Sequence, residues 1–256
     1  MFNYNKMKMK KSILLLATVF IGITVDAQIN TSGRVIYETV RKIEVKLQGD
    51  AAQFENMIPK ERRSKKELLF NSEISLYKPI VENKDDEVTN DAGGGAVVLR
   101  MAEPTTIVFT DLKSKVNLEQ REFMSRNFLI ETKTDTVQWK MTGKQKEIQG
   151  YNCLEAELVG AKRKTVVWFT PMIPISSGPE GLVGLPGLII SADIDDGKAT
   201  YLAQKIELNE VDPALLVKPT EGKKVTRKEF NRIMDEKMKE MGGQGAQGGA
   251  RIFISR

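Results

Sequence analysis

Apolar and polar residues alternate with a period of two along several short stretches of this chain. Such a period places successive side chains on opposite faces of a β-strand, and clean alternation is typical of antiparallel sheets with one solvated face. The pattern predicts strands at 42–47, 68–76, 154–158 and 188–195. Their inward positions are Ile43, Val45 and Leu47; Leu68, Phe70, Ile74 and Leu76; Leu154, Ala156 and Leu158; and Leu188, Ile190, Ala192 and Ile194.

Turn signals separate these stretches. Asp196-Gly197 predicts a hairpin turn, because Gly tolerates positive φ and Asp partly does. Residues 199–208 are then expected to form the returning strand. The basic run 162–164 is interpreted as the solvated tip of another hairpin. Residues 83–98 are first acidic and then rich in Gly, which indicates a flexible insertion between strands.

The pattern changes to a helical one near the end of the chain. Thr226 and Glu229 form a capping-box pair, which predicts a helix start. Gly242 is expected to end the helix and to begin a loose Gly/Gln linker at 242–249. Residues 251–256 are a candidate short strand. The apolar positions at helical spacing are Phe230, Ile233, Met234, Met238 and Met241.

The first 27 residues resemble an export segment. A basic region is followed by an apolar run at 13–23 and by a small residue, Ala27, after which we expect cleavage. An uncleaved anchor is the alternative, but the run is shorter than the roughly 20 residues that span a bilayer. No later segment is long and apolar enough to be a transmembrane segment.

The expected organisation is therefore a signal peptide at 1–27, one domain at 28–241 and a Gly-rich tail at 242–256. The fold prediction is a mainly β single domain with an antiparallel twisted sheet and one C-terminal helix. The edges of an open sheet need cover, and a sheet that curves into an open half-barrel is one way to meet this need.

Composition limits the chemistry. The chain has 256 residues, no histidine and a single cysteine, Cys153. The commonest general base, the commonest metal ligand and any Ser-His or Cys-His nucleophile are thus missing. Four lysines and one aspartate lie in the first 27 residues, so the remainder falls from 39 to 35 basic and from 34 to 33 acidic residues. A net charge of +2 without a basic, aromatic stripe does not indicate nucleic-acid binding.

Two motifs suggest ligand loops, but their context does not support this. Glycines recur at every third position from Gly178 to Gly187, yet a strand pattern follows them, whereas a phosphate-binding loop opens a helix. Around Gly197, the first and third positions of a calcium loop would be Ala192 and Ile194, which carry no carboxylate. A turn-rich connection and a hairpin turn explain these residues. We assign no catalytic residue, metal or cofactor from the sequence.

A few residues remain as candidates. Cys153 is interpreted as a core residue, because no histidine can activate it. Glu155 and Glu157 would share a strand face that alternation places outward. The aromatic residues Trp139, Trp168 and Phe169 would line either a ligand pocket or the sheet core.

The apolar side chains of the connection at 178–187, which we call the Gly-Pro loop, allow two interpretations. They either fold back as a plug over an open end of the sheet or form a docking patch. The candidate binding residues on this loop are Leu182, Val183, Leu185 and Pro186.

Four ordered sequence blocks resemble the GLPGLI family of exported proteins, over about residues 33–208. The blocks are Leu69-Phe70-Asn71 with Ser75-Leu76-Tyr77; 146–156; Trp168-Phe169-Thr170-Pro171 with Ile173-Pro174 and Gly178-Pro179; and the hexapeptide Gly184-Leu185-Pro186-Gly187-Leu188-Ile189. The resemblance implies a location in a Gram-negative envelope, in the periplasm or at the outer membrane. It implies no activity, cofactor or catalytic residue.

Two classes of function follow. The first is a non-catalytic binding or accessory protein that holds an apolar ligand or docks on an outer-membrane or other envelope protein. The second is a hydrolytic enzyme that uses carboxylate, Lys or Tyr chemistry without His or metal. The first is favoured, because a chain without histidine or a nucleophile motif offers little for catalysis.

Overall fold

The computed structural model describes residues 31–43, 59–80 and 105–244. This part of the chain forms twelve strands, one helix and short 3₁₀ turns. The predicted signal peptide at 1–27, the alternation at 44–47, the insertion predicted at 83–98 and the candidate strand at 251–256 lie outside the described residues. The elements are β1 (Gly33–Lys42), β2 (Glu61–Phe70), β3 (Ile74–Pro79), β4 (Thr106–Asp111), β5 (Val116–Phe123), β6 (Arg126–Lys133), β7 (Trp139–Ile148), β8 (Tyr151–Leu158), β9 (Thr165–Thr170), β10 (Leu188–Ile194), β11 (Ala199–Glu207), β12 (Lys223–Thr226) and α1 (Arg227–Gln244).

All twelve strands belong to one open sheet with the order β12-β6-β5-β4-β3-β2-β1-β11-β10-β9-β8-β7. The mainly β, single-domain prediction with one C-terminal helix is confirmed. The sheet is not wholly antiparallel, however, because β12 runs parallel to β6. A long connection from β11 to β12 causes this difference. It packs Leu216 in an apolar cluster with Leu69, Leu76 and Phe109 before the chain reaches β12.

The strand predicted at 68–76 is wrong, because these residues form the hairpin of β2 and β3. The side chain of Asn71 accepts hydrogen bonds from the backbone N–H groups of Glu73 and Ile74, at 2.9 and 2.8 Å. This turn reverses the chain without Gly or Pro. Leu68 and Phe70 therefore lie in the main core, while Ile74 and Leu76 lie in the cluster on the other face.

The predicted hairpin after β10 is confirmed. Asp195, Asp196 and Gly197 all have positive φ, and the Asp193 carboxylate accepts a hydrogen bond from the N–H of Gly197 at 2.7 Å. The returning strand β11 begins at Ala199 as expected. The basic run at 162–164 is the exposed turn between β8 and β9.

The sheet curls around the 171–187 connection between β9 and β10, which contains the Gly-Pro loop. The side chain of Asn117 on β5 donates to the carbonyl of Gly181 at 2.9 Å, and the indole of Trp139 on β7 donates to that of Val183 at 2.8 Å. These strands lie nine places apart in the sheet, roughly 43 Å if the sheet were flat. Two residues of chain reach only about 7 Å, so the open sheet must curve strongly.

Helix α1 packs its first turns on the inner face near β6. The hydroxyl of Thr226 accepts from the N–H of Glu229 at 3.1 Å, as the capping pair predicts. Phe230 is buried edge-on against Phe128, with ring centroids 5.3 Å apart. The predicted stop at Gly242 is wrong, because the helix continues to Gln244; a glycine costs a helix only about 1 kcal/mol. In the described chain, neither α1 nor any other helix is long and apolar enough to cross a membrane.

Candidate functional site

The Gly-Pro loop fills the concave side of the sheet. Val183 and Leu185 are buried in the core, Leu182 packs partly against it, and Pro186 is exposed. The loop is anchored further by a 2.7 Å hydrogen bond between the hydroxyls of Ser177 and Ser75. These contacts match the plug interpretation of the loop. A role of the same side chains in binding stays a prediction.

The hexapeptide at 184–189 packs closely against the end of β9 and the core of the sheet. A Cβ atom on Gly187 would lie 2.1 Å from the carbonyl oxygen of Thr170, so only glycine fits beside the end of β9. Leu188 and Ile189 are completely buried at the start of β10. The carbonyl of Ile189 accepts a 2.6 Å hydrogen bond from the hydroxyl of Tyr37 on β1.

The loop also carries a charged residue, Glu180, onto the concave face. One carboxylate oxygen lies 3.1 Å from Arg41 and 3.2 Å from Lys66, and the other lies 4.0 Å from Arg121. The side chain of Lys66 is only 3% exposed, and that of Glu180 is 15% exposed. No motif in the sequence predicted this cluster. Its signals were an acidic residue inside an apolar loop and a lysine at an inward position of β2.

Electrostatics fix the protonation states of Glu180 and of the neighbouring Tyr77. Burial alone would raise the pKa of Glu180, but the charges of Lys66, Arg41 and Arg121 outweigh burial and lower it. Burial and, secondly, the Glu180 charge raise the pKa of Tyr77 well above its ordinary value. Glu180 therefore stays ionised and Tyr77 stays protonated, so neither is poised as an acid or a nucleophile at neutral pH.

A second buried carboxylate, Glu119 on β5, is paired as well. It lies 2.6 Å from Arg121 and also contacts Arg227 at the start of α1. Arg121 thus stands between Glu119 and Glu180. The two carboxylates resemble a catalytic pair in burial, but cations hold them in an ion-pair network that joins the sheet, the loop and the helix.

The remaining candidates have different environments. Phe169 is a core residue, and Cys153 is buried as expected, where burial raises the pKa of its thiol. Trp139 links β7 to the Gly-Pro loop through the hydrogen bond from its indole N–H to the carbonyl of Val183. Trp168 instead lies on the outer face, half-buried, in a groove of about 490 Å³. The groove is lined by Thr142, Lys144, Glu155, Glu157, Lys164, Val166, Trp168, Asp193 and Asp196.

Strand register places the groove residues in two rows. One row runs from Glu155 to Trp168 and continues to Ser191, which is the cross-strand neighbour of Trp168 but does not line the groove. The next runs from Glu157 through Val166 to Asp193. Trp168 and Val166 therefore form an apolar strip along β9, and polar side chains of β8 and β10 flank it on both sides.

Three lysines offset most of the negative charge of the four groove carboxylates. Lys144 lies 3.0 Å from Glu155, Lys164 lies 2.9 Å from Asp196, and the ammonium of Lys146 sits 4.1 Å from the ring centroid of Trp168. Burial opposes the charge of Glu155, but hydrogen bonds from Lys144 and Thr142 outweigh it and lower its pKa.

Glu155 is not openly exposed, contrary to the prediction from alternation. It points outward, but only 7% of the residue is accessible, because neighbouring side chains cover it. In the described ranges, no three carboxylate or thiol side chains come together as a metal site.

Comparisons with known proteins identify the fold but no activity. Residues 156–191, from β8 to β10, match the model of a family described as a protein of unknown function (Porph_ging). Solved structures of PNGF-II in the P21 and C2 space groups each superpose with a TM-score of 0.52 and 14% identity over 80% of this chain. The chain spans about a third of PNGF-II, 34% and 33% in the two structures. A search of curated proteins found no match.

Proposed function

We propose that this protein is an exported envelope protein of the GLPGLI type that binds a ligand without transforming it. The N-terminal segment 1–27 and the ordered blocks through Ile189 support its location and type. The observation that carries the binding function is the groove around Trp168. A large aromatic side chain lies there on the solvated face of a sheet, between rows of polar groups, which is an arrangement typical of ligand sites.

The ion pairs of the concave face argue against the hydrolytic alternative. An acid–base pair needs one carboxyl group that can donate a proton at working pH. Glu180 has a lowered pKa among three cations, and Glu119 is held between Arg121 and Arg227. These groups are consistent with fixing the Gly-Pro loop rather than with proton transfer.

The structure favours a polar ligand over the apolar one considered from the sequence. The apolar side chains of the loop, Val183 and Leu185, are buried against the core and are not presented to a ligand. The Trp168 groove, by contrast, is lined mainly by charged and hydroxyl-bearing side chains.

The binding function is tested with the mature chain, from Gln28 onward, and a soluble extract of the cell envelope. After incubation and removal of unbound compounds, mass spectrometry identifies what the protein retains. We expect a compound that is retained by the wild type and by the remote control Val217→Ala, is lost from Trp168→Ala, and is released unchanged. Products that gain the mass of water would support the hydrolase, and retention of nothing would refute the proposal.

The proposed location has its own test. The intact mass of the protein from the envelope fraction should correspond to a chain that begins at Gln28. A mass that includes residues 1–27 would contradict cleavage after Ala27.

A further inference from the structure

We propose that the groove around Trp168 binds a neutral carbohydrate chain, with the indole as the surface on which a sugar ring stacks. This inference rests on the proposed binding function and names its ligand class. A sugar ring presents apolar C–H groups on its faces and hydroxyl groups around its edge. A matching protein site therefore needs an apolar strip bordered by hydrogen-bonding groups.

The register of the sheet supplies that arrangement. Glu157 and Asp193 are the direct cross-strand neighbours of Val166, and Glu155 and Ser191 are those of Trp168. Adjacent strands lie about 4.8 Å apart, so the polar side chains of β8 and those of β10 stand roughly 10 Å from each other, on either side of the apolar strip on β9. A ring on Trp168 would have the carboxylate of Glu155 on one edge and the hydroxyl of Ser191 on the other. The groove volume of about 490 Å³ is within the range of small-ligand sites.

Trp168 keeps hydrogen-bonding capacity that the other tryptophan uses internally. Trp139 donates its indole N–H to the carbonyl of Val183. Within the described residues the indole N–H of Trp168 makes no hydrogen bond, and it is not enclosed as a buried unsatisfied atom. The donor is therefore available to a ligand hydroxyl, since an aromatic residue with a polar group serves both kinds of contact.

The presence of both charge signs in the groove favours a neutral ligand over an ionic one. The groove has four carboxylates, from Glu155, Glu157, Asp193 and Asp196. Three lysines, Lys144, Lys146 and Lys164, lie among them. A cationic ligand would have to displace these ammonium groups, and an anionic ligand would meet the carboxylates. Ionised carboxylates remain strong acceptors for hydroxyl donors.

Lys146 covers the ring that the sugar would contact. The residue is exposed, and its ammonium lies over the indole of Trp168 at 4.1 Å from the centroid. Exposed cation–π contacts are weak and the lysine chain is flexible, so a ligand can displace it at small cost. Removing this side chain should uncover the ring and strengthen binding, which a purely structural role of Trp168 would not produce.

The test is calorimetric titration of the mature protein with cellotetraose, maltotetraose and the N-acetylglucosamine tetramer, with spermidine as a cationic probe. We expect one or more of the neutral oligosaccharides to bind. Lys146→Ala should tighten binding about two- to fivefold, the factor that an exposed cation–π contact represents. Trp168→Ala and Glu157→Gln should each weaken it about tenfold or more, while Val217→Ala should leave it unchanged.

The outcomes separate the ligand class, the site and the function. If Trp168→Ala lowers the melting temperature strongly, Glu157→Gln decides the site, because its acceptor is changed without removal of packing. Oligosaccharide binding that neither variant alters would overturn the site. Binding of spermidine alone, or of no probe while an envelope compound is still retained, would overturn the carbohydrate class and leave the binding function standing.

Discussion

Neutralising Glu180 tests whether its ion pairs hold the Gly-Pro loop in place. In Glu180→Gln the buried ammonium of Lys66 loses a carboxylate at 3.2 Å. Removal of one partner of a buried pair costs about 3–5 kcal/mol. The side chains of Arg41 and Arg121 are about a third exposed, so we count their pairs at about 0–1 kcal/mol each. Because Glu180 itself retains some exposure, we expect a loss of about 3 kcal/mol.

Urea unfolding of the mature chain, followed by circular dichroism, measures this loss. A change of about 3 kcal/mol corresponds to a midpoint lower by about 1–2 M urea at unchanged slope. Glu73→Gln is the matched control, since Glu73 pairs with Lys113 at an exposed site, where such pairs contribute about 0–1 kcal/mol.

The same variant makes a prediction about pH. The pKa of Glu180 is lowered from its ordinary 4.5 in the folded protein. A carboxylate with a depressed folded pKa stabilises the fold above its unfolded pKa, and this contribution is lost as pH falls through the folded pKa. The gap between the wild type and Glu180→Gln should therefore be constant near neutrality and should narrow below about pH 4.5. Equal stability at pH 7, or a gap that persists undiminished at pH 3, would refute the ion-pair argument.

Further predictions concern the packing of the loop and core. Leu185→Ser should lower the free energy of unfolding by about 3 kcal/mol or more, and Leu182→Ser should lower it by clearly less, because only Leu185 is fully buried. Equal losses for the two variants in urea titration would contradict the assigned burial of the loop. Gly187→Ala should destabilise by about 2 kcal/mol or more, since its Cβ would meet a backbone oxygen at 2.1 Å, and an unchanged melting temperature would show that the backbone yields freely. Cys153→Ser should cost about 1 kcal/mol and leave ligand retention intact; normal stability with lost retention would assign the thiol a role in function.

Local rules explain why much of the β architecture could be read from the sequence. The turn at Asp196-Gly197 depends on φ preferences of adjacent residues, and the start of α1 depends on Thr226 and Glu229, three positions apart. The turn after Phe70 was not predicted, because a single side chain, Asn71, forms it within an otherwise continuous apolar pattern. Likewise, the parallel placement of β12 follows from the route of a long connection, which no periodicity reports.

The charged cluster could not be predicted for a different physical reason. Glu180 contacts Arg41 and Lys66, residues 139 and 114 positions away in the chain. Only the curvature of the sheet brings the Gly-Pro loop over β1 and β2. The inward lysine on β2 was a usable signal, because an uncompensated buried ammonium is too costly to occur alone. Its partner could have been sought among acidic residues in apolar surroundings.

The two tryptophans show how the two faces of the sheet differ in the contacts that they leave available. Trp139 lies on β7 and Trp168 on β9. The indole N–H of Trp139 donates a hydrogen bond to the carbonyl of Val183, whereas the indole N–H of Trp168 makes no hydrogen bond within the described residues. The concave face combines buried carboxylates, cations and tyrosines, but its charges are paired within the molecule and hold the loop. Polar groups beside an accessible aromatic surface occur on the opposite face. Burial and a perturbed pKa therefore distinguish Glu180, whose charge is paired within the molecule, whereas an accessible ring and an available N–H distinguish Trp168 and underlie the proposal of a ligand site there.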